Sequence, residues 1–173
     1  MAHNDMQGFK IFTVGWEPDF IDYFIAPIAK STGIEFSHGL VGDASRIAYA
    51  RQQYPQANFV SLSKTKKTLL PEPDYELLAS LECLGVPTVK SMIQGDRVLR
   101  HRPADESLAY ATLLVHQIRS MLEKHKPNVV LGSYDSLHAA LSLAVARSLG
   151  IPWVALAFTV IPDDLTGFCK GGT

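Results

Sequence analysis

The sequence predicts a doubly wound α/β domain, and three observations carry that prediction. Short apolar, β-rich runs alternate with stretches whose apolar residues recur at spacings of three and four. A complete strand–helix–strand unit occupies Pro127 to Phe158, and no repeat or low-complexity tract interrupts the alternation. With 173 residues and 47% apolar content, the chain has the material for one hydrophobic core.

The elements follow in order. Phe9 to Val14 reads as a strand that ends at Gly15, and Pro18 suits the first turn of the following helix. That helix carries Phe20, Ile21, Phe24, Ile25 and Ile28 on one stripe and stops at Gly33, after which a second strand begins at Ile34. Asp43 caps a helix through Tyr54 that buries Ile47 and Ala50, and Asn58 to Leu62 forms a third strand. Ser63 to Asp74, with three lysines and two prolines, reads as a surface loop.

A helix from Tyr75 to Leu84 ends at Gly85, Val86 to Val89 reads as extended, and Gln94 to Arg97 as a turn. Pro103 to Glu106 opens a long helix with Leu108, Ala111, Val115, Ile118 and Leu122 on its buried face, ended by Pro127. Val129 to Leu131 is a continuous apolar run, as a parallel strand covered on both faces requires. Leu137, Leu141, Ala144, Val145 and Leu149 line the crossover helix, Gly150 caps it, and Ile151 to Phe158 is the next strand. Lys170 to Thr173 reads as a flexible end. The sum is a Rossmann-like doubly wound parallel sheet of about five to six strands with helices on both faces.

Composition narrows the function. A net charge of -1 supplies no basic field for nucleic acid or anionic membranes, so no nucleic-acid partner is expected. Cys83 and Cys169 belong to no zinc-like cluster, and no apolar run approaches the ~18 residues of a membrane span. A reduced, cytoplasmic protein without a signal peptide, transmembrane segment, metal or cofactor is expected. Gly15 begins neither a dinucleotide fingerprint nor a phosphate-binding P-loop, and the Gly132 region is no hydrolase nucleophile elbow.

Ligands of such sheets meet the loops beyond the carboxyl ends of the strands: Gly15 to Glu17, Ser37 to Gly39, Ser61 to Ser63, Ser133 to His138, and Phe158 to Thr159. The hydroxyls of Ser133, Tyr134 and Ser136, the Asp135 carboxylate and the amides of the following helix suit a hydroxylated or phosphorylated ligand. Asp135 or Ser136 equally suits a helix cap, and both roles coexist. His138, in the first turn of that helix, is the candidate general base on an acceptor hydroxyl. Trp16 and Glu17 offer a stacking surface and a carboxylate beside Gly15, or a packed indole and a helix-terminal acid. Asp96 and Arg97 form a local ion pair or face a groove, and His38 beside Gly39 is read in the same way.

Asn128-Val129-Val130-Leu131-Gly132-Ser133, followed by Asp135-Ser136, Leu141, Ala144, Ala146, Arg147 and Gly150-Ile151-Pro152, resembles a segment of the N-terminal domains of GT-B glycosyltransferases. Capsule and surface polysaccharide biosynthesis proteins, and relatives of the UDP-N-acetylglucosamine 2-epimerases, are similar there. Leu81-Glu82, Gly85-Val86-Pro87 and Gly95-Asp96-Arg97 to Leu99 resemble the middle of such polysaccharide proteins, whereas the first half matches in element order alone. At the first loop, Gly15-Trp16-Glu17-Pro18-Asp19 replaces the Gly-rich, His-containing turn of many such enzymes.

The resemblance implies a cleft between two Rossmann-like domains, the N-terminal one contacting a sugar acceptor and a further C-terminal one holding most of the nucleotide-sugar. The chain is then expected to be the acceptor-side half of a glycosyltransferase for surface polysaccharide or glycoconjugate synthesis, inactive alone and peripheral to the inner membrane only through the rest of the protein. His138, Asp135 and Glu17 are the acid/base candidates; Gly15, Trp16, His38, Asp96, Arg97, Ser133, Tyr134 and Thr159 are the binding candidates. Two rival readings stand beside it: half of a nucleotide-sugar epimerase, and a non-catalytic domain that binds a small ligand.

Overall fold

Five apolar strands too short to bury their faces alone line up in parallel and let helical crossovers cover them. The computed structural model describes residues 8–14, 27, 31–41, 48–49, 51–52, 55, 58–62, 69–83, 85–132, 136–158 and 166–170. Its strands are β1 (Lys10–Val14), β2 (Glu35–Val41), β3 (Asn58–Leu62), β4 (Val129–Gly132), β5 (Trp153–Phe158) and β6 (Thr166–Lys170). They hydrogen-bond in the order β3-β2-β1-β4-β5-β6. Every pair is parallel except β5 with β6. Winding from β1 outward to β3, then back past β1 to β4 and β5, makes the junction of β1 and β4 the topological switch point. The predicted doubly wound α/β sheet is what forms.

The described helices are α1 (Tyr75–Ser80), α2 (Val89–Gly95), α3 (Ala104–His125) and α4 (Leu137–Ser148), with a 3-10 turn at Leu99–His101. Asp74 caps α1, its carboxylate accepting the Leu77 amide at 2.8 Å. The first turn of α3 carries Asp105 and Glu106 and its last turn Lys124 and His125, the charge order that complements a helix dipole. Lys126, at φ 47°, unwinds α3 just before Pro127. Positions 27, 31, 32, 48, 49, 51 and 52 are helical, in the two stretches expected to be crossover helices, and Gly33 has φ +70°.

Four readings of the sequence are corrected. The segment from Val86 to Val89 is not a strand: Val89 begins α2, whose Thr88 cap accepts the Ser91 amide while Glu82 accepts that of Val89 at 2.9 Å. These polar caps outweigh the β preference of two valines. α1 stops at Ser80, four residues short of Leu84. The second strand runs through Gly39 to Val41 because β1 pairs with it as far as Gly39 and β3 as far as Val41, which places His38 inside β2, opposite Thr13 and Phe59, rather than beyond its end. Lys170, read as the start of a flexible end, belongs to β6 and pairs with Val154.

The core lies between the sheet and the layer formed by α3 and α4. Phe12, Val14 and Val130 of the sheet meet Ala111, Val115, Ile118 and Leu122 of α3, and Leu137, Leu141 and Val145 of α4. α4 is buried on nearly its whole circumference, from Leu137 to Ala146, because it packs on the sheet, on α3 and on α2. One close contact fixes its register. The buried Trp153 indole donates from Nε1 to Ser142 Oγ at 3.0 Å, and Ser142 Oγ donates in turn to the Ala139 carbonyl at 2.6 Å. The indole lies against Gly132, where a Cβ would stand 2.5 Å from Cζ2. Only glycine leaves the room.

Gly132→Ala is accordingly expected to destabilise the domain by about 1–3 kcal/mol through overpacking against the indole. In urea unfolding the midpoint falls while the m-value stays constant; an unchanged midpoint contradicts the contact.

Candidate functional site

The carboxyl ends of β1 and β4 open on the switch point, at Val14 and Gly132. Gly15, Trp16 and Glu17 follow β1, Ser133, Tyr134 and Asp135 follow β4, and Thr159 follows β5; these seven candidates lie outside the described residues. The described part of the site is the N-terminus of α4, with Ser136 at its cap position, together with the segment that packs over it.

Ser136 does not cap by its side chain. Its hydroxyl lies 3.1 Å from Nε2 of His138 instead. The cap comes from a distant residue, Asp96, whose Oδ2 accepts the Leu137 amide at 3.2 Å across 41 residues of sequence. Its Oδ1 accepts the amides of Val98 at 2.9 Å and Leu99 at 3.0 Å, which closes the turn after α2. Thus Asp96 and His138, chosen independently in the sequence, are brought to the same helix end. Arg97, at the next position, is exposed and makes no ion pair with Asp96 among the described residues.

Burial alone would raise the Asp96 carboxyl, but the three amides and the charge of His138 outweigh it and hold the group below its ordinary value of 3.8. Asp96 is therefore an anion throughout the physiological range. Burial, with the field of Asp96 added to it, pushes the hydroxyl of Tyr110 upward, so Tyr110 stays protonated.

A cavity of about 140 Å³ opens next to this group, between α2 and α4, lined by Pro87, Ser91, Met92, Gly95, Ser136 and Ala140. It is smaller than the ~300–1,000 Å³ of sites that enclose whole drug-sized ligands, and suits one substituent of a ligand. Ser136 was legible in the sequence, whereas the α2 residues of the cavity, Ser91, Met92 and Gly95, were not, because the stretch before Ser91 looked extended. Among the described residues no group of three metal-ligating side chains gathers, and no described helix is long and apolar enough to cross a membrane.

No family model and no curated protein matches the chain. Solved structures do match. A UDP-GlcNAc 2-epimerase from Neisseria meningitidis bound to UDP-GlcNAc superposes with a TM-score of 0.50 at 13% identity, over 86% of this chain and 32% of that one. A second UDP-N-acetylglucosamine 2-epimerase gives 0.51 at 13% identity, covering 87% and 32%. The zinc-inhibited form of teicoplanin deacetylase Orf2 gives 0.53 at 11% identity, covering 85% and 66%. Identities this low establish likeness of fold, and the chain spans about a third of the length of the epimerases.

Replacing Asp96 by Ala leaves the Leu137, Val98 and Leu99 amides without their acceptor. A loss of about 0.5–2 kcal/mol at neutral pH is expected from the missing cap. Because the folded carboxyl is depressed, its contribution is present above the ordinary Asp value of 3.8 and is lost as pH falls through the lower folded value. Denaturation at a series of pH values should show the gap between wild type and variant constant near neutrality and closing in acid. A gap independent of acid pH contradicts the assignment.

Proposed function

We propose that this domain forms the acceptor-side wall of the cleft in a two-domain enzyme acting on nucleotide-sugars, and that the whole protein is a glycosyltransferase. The observation that carries the reading is the coincidence of the polysaccharide-protein resemblance, Asn128 to Pro152, with the β4–α4–β5 unit that borders the switch point. The likeness of fold to enzymes named for UDP-N-acetylglucosamine supports a sugar-related site of the same kind.

In this reading His138 is the general base: half-buried, in the first turn of α4 and bonded to Ser136, it takes the proton of an acceptor hydroxyl as the sugar is transferred. Asp135 and Glu17 are the further acid/base candidates, and Gly15, Trp16, Ser133, Tyr134 and Thr159 the contacts of the acceptor. A second reading, epimerisation of a nucleotide-sugar, has a specific support in the two epimerase structures that share the fold. It requires acid/base groups on both faces of the sugar ring.

Incubating the full-length protein with UDP-sugars, with and without oligosaccharide acceptors, separates the readings. Acceptor-dependent release of UDP with a glycosylated product is expected, and His138→Ala should lower kcat by about 10²–10⁴-fold. A new nucleotide-sugar epimer formed without acceptor supports the second reading against the first. Neither product, from any sugar, removes both.

A further inference from the structure

In parallel sheets of this winding, the N-terminus of a helix at the switch point is where a ligand phosphate ordinarily finds unpaired amides and a positive dipole end. α4, twelve residues long, presents such a terminus beside the ends of β1 and β4. Here the position is taken by the protein itself. The Asp96 carboxylate sits on the Leu137 amide at 3.2 Å.

We infer that Asp96 is a specificity-determining internal anion: it fills the oxyanion position of α4, excludes phosphate from this wall of the cleft, and leaves the wall to uncharged groups such as sugar hydroxyls.

Three features keep the carboxylate there. Its other oxygen is held by the amides of Val98 and Leu99, so the side chain is fixed from both sides. Leu99 is buried, and its carbonyl accepts from the buried hydroxyl of Ser107 at 3.1 Å, which anchors the turn to α3. The carboxyl is also held below its ordinary range, so no physiological pH neutralises it. The adjacent cavity is lined by uncharged groups, among them the serine hydroxyls of Ser91 and Ser136 and the apolar side chains of Met92 and Ala140, and the charge that faces Asp96 at the helix end is that of His138. An arriving phosphate would meet a fixed like charge where it needs a free amide. A hydroxyl finds both donors and acceptors.

The inference deepens the cleft reading and rests on it for where the ligand lies, but not for which reaction follows. Its test is a titration of the ¹⁵N-labelled protein with inorganic phosphate, read at the Leu137 amide. In the wild type that amide should not show a saturable shift. In Asp96→Ala it should, with phosphate bound at least about tenfold more tightly than by the wild type. Asp96→Asn, which removes the charge and keeps the size, gives the same comparison if the alanine variant does not fold. Saturable binding at Leu137 in the wild type, or equal affinity in wild type and folded variants, overturns the proposal. An absence of sugar transfer in the enzyme assay leaves this titration unaffected, so the two failures are distinguishable.

Discussion

The hydrogen bond from the Leu137 amide to Asp96 joins parts of the chain that no crossover connects directly. On one side stands the segment with α2 and the 3-10 turn, which reaches the core through Val89, Met92 and Leu99. On the other stands α4, whose first turn carries His138 and borders the switch point. A helix end must satisfy its first amides, and Ser136 turns its hydroxyl to His138 instead. The cap therefore has to come from elsewhere, and the residue that supplies it also closes the turn after α2. Helix capping, loop geometry and the charge of the site are thus one arrangement.

The seating of α4 on the sheet is set by packing rather than charge. Trp153 on β5, Ser142 on α4 and Gly132 at the tip of β4 interlock within a space that admits no additional carbon. Because close-packed interiors transmit small displacements, the register of α4 against β4 and β5 follows from this contact. The indole fixes how α4 lies on the sheet, and Asp96 fixes where its first turn points. His138 is positioned by both.

Much of this was legible in the sequence. The β4–α4–β5 unit stood out because its apolar pattern changes period from a continuous run to helical spacing and back, between Pro127 and Gly150. The long α3 was legible for the same reason, with acids at its start and bases at its end. α2 was not, since two valines around a Pro-Thr pair look extended until Glu82 and Thr88 are seen to cap a helix. β6 escaped because Thr-Gly-Phe-Cys-Lys has no alternation strong enough to predict a strand, and β5 supplies its pairing. Asp96 and His138 were each legible as candidates, yet their meeting was not: nothing local links Asp96 to the Leu137 amide 41 residues on, and the nearer Asp135 and Ser136 were the obvious caps.

Hydrogen exchange at the Leu137 amide tests the central claim most directly. A first-turn amide of a helix has no intrahelical acceptor and ordinarily exchanges quickly. With Asp96 as its acceptor, it should exchange at least about tenfold more slowly than an unstructured amide in the wild type and lose that protection when Asp96 is replaced by Ala. Exchange at the unstructured rate in the wild type would contradict the account.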